Sequence, residues 1–215
     1  AGAVVHYIET QLRRSVSHLR SLQAYRTESH LLIDAASQSN LDLVTSRSGG
    51  TKASLIGALD RTRTPMGARK LRHWLLHPLR DLDTLVARQD FVESLIREPY
   101  LLNTLRGDFA EVRDIERTLS RLSQGSGNGR DLKALEMSLR RVPDVRDHLA
   151  ALGGGALGLD LERRLGEFGE LCELLGRAIV AEPPATLKEG GLFADGYSST
   201  IDELRRAATD GKQWV

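Results

Sequence analysis

The chain has 215 residues, with 30 Lys or Arg against 29 Asp or Glu, a formal net charge of +1. That balance excludes a polyelectrolyte footprint, so strong autonomous binding of nucleic acid is not expected. A single cysteine, Cys172, excludes an internal disulfide framework and suits a reducing compartment. No apolar run approaches the roughly 18 residues of a membrane span, and no secretory leader is visible, so a cytoplasmic location is expected.

Aromatic residues make up only 5% of the chain, and Leu and Arg recur in helix-periodic windows. A mainly α, multi-helical fold with long helices and at most a few short strands is expected. Val4, Val5, Ile8 and Leu12 predict a helix from about Ala3 to Arg14. Tyr25 to Asp34 has few helix signals and leaves room for a short strand at Leu31 to Asp34. Apolar positions resume at Leu41 and Leu43, Ser48-Gly49-Gly50 reads as a turn, and Leu55, Ile56 and Leu59 mark a brief helix.

Thr64-Pro65 is a helix start, a hydroxyl able to cap free N–H groups followed by a ring whose fixed φ suits the first turn. Leu71, Trp74, Leu75 and Pro78 then fall on one apolar stripe expected to face a core. Pro78 ends the helix. Asp81 caps a second helix carrying Leu82, Leu85, Val86, Val92, Leu95 and Ile96, so the pair is expected to pack as a helical hairpin around a proline turn.

Pro99 restarts a helix with Leu101, Leu102 and Leu105, and Ile115, Leu119 and Leu122 mark a short one. Gly125 to Gly129 reads as a flexible connection, after which Asp131 opens a helix with Leu132, Leu135, Leu139 and Val142 on one face. Pro143 starts another, and Gly153-Gly154-Gly155 breaks the chain. Leu157, Leu161, Leu165, Phe168, Cys172, Leu175 and Ile179 form one seam and predict a single helix of about 24 residues, roughly 36 Å long. Pro183-Pro184 is expected to end it. Ala185 to Asp195 reads as a turn or small hairpin. Tyr197, Ile201, Leu204, Ala208, Gly211 and Val215 keep helical spacing to the last residue with no stop signal, which suggests a fragment of a longer protein.

Chemistry-bearing patterns are few. Arg61, Arg63, Arg69, Lys70, Arg72 and Arg80 lie in a stretch without acids. Arg61, Arg63, Arg69, Lys70 and Arg72 are candidate weak contacts to DNA phosphates; the plainer reading is a solvated face, or pairing with Asp60, Asp81 and Asp83. His73 and His77 have a spacing able to chelate a metal, but no Cys, Asp or Glu lies at a completing offset, so surface or cap histidines are expected. Gly49-Gly50-Thr51-Lys52 lacks the spacing of a phosphate-binding loop. Cys172 sits on an apolar seam without a base in register, and a nucleophile is not expected. No catalytic, cofactor or metal residue is assigned.

Thr62 to Asp81 resembles the T-x-T-P-M-G-x-R-x-L-x-x-W-L-x-x-P-L-x-D run in the lever, or core, domain of MutS DNA mismatch-repair proteins. The residues that carry it as a structural motif are Thr64, Pro65, Met66, Gly67, Arg69, Leu71, Trp74, Leu75, Pro78 and Asp81. Leu32 to Ala36 with Asn40 to Leu43, Ala87 to Val92, Asp114-Ile115-Glu116-Arg117, Ala178 to Pro184 and Asp210 to Trp214 resemble further family segments. Gly129-Arg130-Asp131-Leu132 resembles P-R-D-L, with Gly129 where the family has proline. Gly166 to Glu170 has the G-x-F-x-E form of the family's mismatch-reading wedge. Phe168 lies on the expected helix seam, however, so a coincidence is favoured, and Phe168→Ala is expected to open a core cavity costing about 3–5 kcal/mol.

The resemblance implies the end of the connector at residues 1–20, the lever at 21–196, and at 197–215 the start of the helix leading to a clamp. It implies a non-catalytic lever that relays nucleotide state from a distant ATPase to arms closing on mismatched double-stranded DNA. ATP and Mg would be held elsewhere in the parent, which the resemblance implies is a homodimer, with no membrane partner. Softening the motif helix by Trp74→Ala is then expected to uncouple DNA binding from ATP turnover. The alternatives are a helical protein-interaction module, or a MutS paralogue acting in recombination or ribosome rescue.

Overall fold

Helix starts follow the side chains able to satisfy free N–H groups. Asp34 accepts from Ser37 N at 2.7 Å and opens α2, Ala35–Asn40; Ser54 accepts from Gly57 N and opens α3, Leu55–Leu59. Thr64 and Asp81 each accept from a backbone N–H at 2.9 Å, opening α4, Pro65–Leu76, and α5, Leu82–Arg97. The computed structural model describes residues 2–13 and 29–213 and places α1 at Gly2–Thr10 ahead of these.

Beyond α5 the helices are α6, Pro99–Glu111; α7, Ile115–Ser123; α8, Gly129–Leu139; α9, Val142–Leu152; α10, Gly155–Arg164; α11, Gly169–Ala178; and α12, Ser199–Gln213. The fold is mainly α. Among the described residues β-structure is limited to isolated bridges. One of them replaces the strand expected at Leu31 to Asp34: His30 pairs with Leu79, and Leu31 N donates to Pro78 O at 2.8 Å. The expected helix end at Arg14, the stretch from Tyr25 to Glu28, and Trp214 and Val215 lie outside the described residues.

Helices α5 to α11 sort into two packs. In the first, α5, α6, α9 and α10 surround Leu105, Val145 and Leu149, with Phe91, Leu95, Leu161 and Leu165 packed against them. In the second, α7, α8 and α11 surround Leu135, Leu139 and Cys172, and this core continues into Leu175, Ala178 and Ile179 against Leu192 and Phe193. Each such Leu or Val, once buried, contributes about 1.5–3 kcal/mol. Three short connections join the packs: Val112 to Asp114, Arg140 to Arg141, and Leu165 to Phe168. A buried hydroxyl reinforces the first of them, because Ser138 Oγ accepts from Arg113 N at 2.9 Å while donating to Ala134 O at 2.7 Å.

The single long helix expected from Leu157 to Ile179 is two helices. Leu165 leaves α10 in an extended conformation, and α11 begins only at Gly169. The apolar four-and-three spacing continues across the break by coincidence, and Gly166 and Gly169 mark the interruption. Phe168 is therefore not a seam residue: it precedes α11, its ring lies over Gly166, and it is 38% exposed. The penalty expected for a core cavity does not apply to it. Nor does Pro183-Pro184 end the helix. Ala178 is its last residue, and the chain turns back so that Ile179 bridges Phe193.

The expected packed hairpin of α4 and α5 is also revised. Among the described residues no side chain of α4 or α5 is fully buried, and Leu82, Val86, Val92 and Ile96 are exposed while Phe91 and Leu95 face the first core. Asp131 does not open α8. Asn128 caps it, and Asp131, three residues on, returns a bond to Asn128 N in a reciprocal capping box. Gly129 is buried at the first turn, where a Cβ would come within 2.3 Å of Leu192 Cδ1 and 2.8 Å of Pro183 Cβ. This close approach accounts for a glycine where the similar family motif has proline.

Candidate functional site

The motif segment is built from its first turn outward. Asp60 accepts from Thr62 N at 2.9 Å and Thr62 Oγ1 at 2.7 Å. Thr64 is extended, as the residue before a proline should be, and its hydroxyl caps Gly67 N. A Cβ on Gly67 would sit 3.0 Å from that hydroxyl, so the small residue lets the cap close. Met66, Leu71, Leu75 and Pro78 are half-buried, and Trp74 is 41% exposed. Instead of entering a core, the Trp74 ring carries the Arg88 guanidinium of α5 at 4.0 Å, with Lys70 Nζ at 6.0 Å. Such a cation–π contact is worth about 0.5–1 kcal/mol at an exposed site.

Arg69 makes the strongest tie between α4 and the rest of the body. Its guanidinium meets Asp114 bidentately, both N–O distances being 2.7 Å, and its Nε reaches Glu116 at 3.2 Å. Asp114 has two tasks, because it also caps α7 by accepting from Arg117 N at 3.3 Å. Arg69 and Asp114 are 45 residues apart, and periodicity carries no signal for that pairing. Both ends nevertheless lie in segments that resemble family motifs.

The Arg69 guanidinium holds the Asp114 carboxyl well below its usual range, at about 2, outweighing the upward push of burial. The stability this adds is fully present above the unfolded value of about 4 and is lost as pH falls toward the folded one. Because Arg69 is 37% exposed, water screens the pair, and about 1 kcal/mol is expected. Asp114→Asn should therefore be less stable at neutral pH and should lose less between about pH 4 and 2 than the parent, as measured by urea unfolding across that range.

The other basic residues of the stretch are arranged differently. Arg61 Nη1 donates to its neighbour's Asp60 O at 3.0 Å. Lys70 leans toward Trp74, and Arg63 and Arg72 are exposed and make no ion pair among the described residues. The partners considered from sequence, Asp60, Asp81 and Asp83, are not those that Arg69 uses. His73 and His77 stack with ring centroids 4.5 Å apart, and His30 approaches His73 edge-on at 6.4 Å. Burial, followed by His77, Lys70 and His30, lowers the His73 pKa. Among the described residues no three His, Cys, Asp or Glu converge as a metal-binding set.

Gly49 and Gly50 form a tight turn, with Ser46 and Gly50 exchanging backbone bonds at 3.0 Å, and Thr51–Ala53 is a 3-10 turn. In the second pack, sequence reasoning missed a buried carboxylate. Glu136, only 3% exposed, lies between Lys133 Nζ at 2.6 Å and Arg140 Nε at 2.5 Å. Burial pushes its carboxyl up, but the two cations outweigh that effect and hold it below the usual range. Gly176 of α11 leaves the room required, since a Cβ there would meet Arg140 Nη2 at 2.9 Å. Cys172 is buried beside this group, and burial raises its thiol pKa.

Caps, a bidentate clamp and two small cores thus define a multi-helical domain whose marked segment is a joint between helices. No helix among the described residues is long and apolar enough to cross a membrane. The model of the MutS domain III family matches residues 36–211, and the chain belongs to that family. It is 40% identical over 216 residues to the DNA mismatch repair protein MutS of Symbiobacterium thermophilum, covering 100% of this chain and 25% of that protein. With the protein of the same name from Myxococcus xanthus it is 41% identical over 213 residues, covering 99% of this chain and 24% of that protein. The Methanosarcina barkeri protein, again named DNA mismatch repair protein MutS, is 38% identical over 219 residues, with 100% and 24% covered. The chain spans about a quarter of the length of the curated relatives it matches.

Proposed function

We propose that this chain is the lever of a MutS-type DNA mismatch-repair ATPase, a structural domain without catalytic residues of its own. In this reading ATP and Mg bind elsewhere in the longer protein, which acts as a homodimer on mismatched double-stranded DNA in the cytoplasm. The relatives' names favour mismatch repair over a role in recombination or ribosome rescue. The observation that carries the relay role is the Arg69 clamp. It joins two segments that resemble family motifs, Thr62 to Asp81 and Asp114 to Arg117, so displacement of α4 is handed directly to α7. A clamp of this kind has discrete made and broken states, which coupling between distant sites requires.

The test is made in the MutS protein that carries this chain, with Arg69→Ala and Trp74→Ala. ATP turnover is measured with and without mismatched DNA, alongside thermal unfolding. Both variants are expected to hydrolyse ATP at the basal rate while losing most of the response to DNA. A folded Arg69→Ala variant with unchanged response would remove the relay role.

A further inference from the structure

The first pack does not fill the space between its helices. A cleft of about 250 Å³ remains among α5, α6, α9 and α10, its floor formed by the buried Leu105, Val145 and Leu149. Phe109 stands at its rim, 38% exposed. Among the described residues the only polar side chain lining it is that of Arg106, whose guanidinium already donates to Arg61 O at 3.2 Å. The walls are fixed by neighbours. The Phe91 ring lies so close to α10 that a Cβ on Gly154 would meet it at 2.6 Å, and His148 Nδ1 to Asp108 Oδ2 at 2.8 Å pins α9 to α6.

We propose that this cleft is a binding site for small neutral aromatic molecules of one or two fused rings. The size fits, since an apolar cavity of about 150 Å³ already admits benzene. Water is a poor occupant because it needs two to four polar partners, and the lining offers only the Arg106 guanidinium. A cationic ligand would surrender its hydration and meet only apolar walls and the like charge of Arg106. Walls held apart by fixed contacts make the site preformed, so an apolar ligand enters without first reorganising the helices. Nothing in the proposed lever function calls for this site, and the two stand or fall separately.

The full-length protein that carries this chain is titrated with benzene and with naphthalene, with benzylammonium as the charged counterpart that the Arg106 guanidinium cannot pair with, and followed by methyl NMR of Leu and Val. Saturable shifts are expected at Leu102, Leu105, Val145 and Leu149, with a rise of a few degrees in Tm and no response to benzylammonium. Val145→Phe fills the floor and Leu102→Trp closes the rim. Each is expected to weaken naphthalene binding about tenfold or more, and two positions guard against one variant failing to fold. Shifts that grow linearly without saturation, that benzylammonium reproduces, or that survive both substitutions would overturn the proposal. So would methyl shifts that move with protein concentration alone, because a second copy would then be the occupant.

Discussion

Replacing Leu105 by Ala is expected to destabilise the chain by about 3–4 kcal/mol and to lower its Tm by roughly 6–16 °C. Leu105 is 3% exposed and contributes to the core shared by α6 and α9. Its removal costs the transfer energy of the lost methyl groups plus the cavity left behind. Here the cavity merges with the existing cleft, and walls pinned by Gly154 and by the His148–Asp108 contact cannot collapse into it. Leu82→Ala serves as the control. That residue is 69% exposed on α5, so a change within about 0.5 kcal/mol is expected. Urea unfolding of the two variants checks the pair, and equal losses would show that the core is not where it is placed here.

The second large effect is expected from removing the cations around Glu136. The double variant Lys133→Met, Arg140→Met leaves a carboxylate that is 3% exposed without its partners. Breaking a fully enclosed pair costs about 3–5 kcal/mol; with Arg140 half exposed, about 2–3 kcal/mol is expected at neutral pH. The pH dependence should also invert locally. In the parent the two cations hold the Glu136 pKa down, so this group adds stability above its unfolded value and loses it on acidification. In the variant burial alone remains, the folded pKa rises above the unfolded one, and the group adds stability at low pH that is lost as pH increases. Unfolding free energies measured from about pH 4 to 8 should therefore converge between variant and parent at the acid end.

Much of the local structure was legible in the order of residues alone. Thr64-Pro65 and Asp81 announced helix starts because a short oxygen-bearing side chain beside a free N–H is a strictly local arrangement. The faces of the helices were harder to assign. α5 is apolar on both sides, with Leu82, Val86, Val92 and Ile96 opposite Phe91, so a stripe of aliphatic residues did not reveal which side meets the core. The spacing from Leu157 to Ile179 simulated one helix because α10 and α11 happen to be in phase across four intervening residues. The signal against it was local and overlooked: two glycines bracketing Glu167 and Phe168. The motif segment was readable as a segment but not as a joint. Arg69 looked like one cation among six, and only the fold brings it to Asp114 and Glu116.

The two packs described above alternate along the chain. α5 and α6 belong to the first, α7 and α8 to the second, α9 and α10 to the first again, and α11 to the second. Each therefore holds the other as an insertion, and no single cut of the backbone releases either one whole. A protease nicking the Gly125 turn would separate α7 from α8 but leave both gripped through α11 and the Arg121–Asp131 ion pair. The two packs have no autonomous half to lose, so together they should melt in one step. Two packs that hold each other in this way can bear load without yielding one at a time.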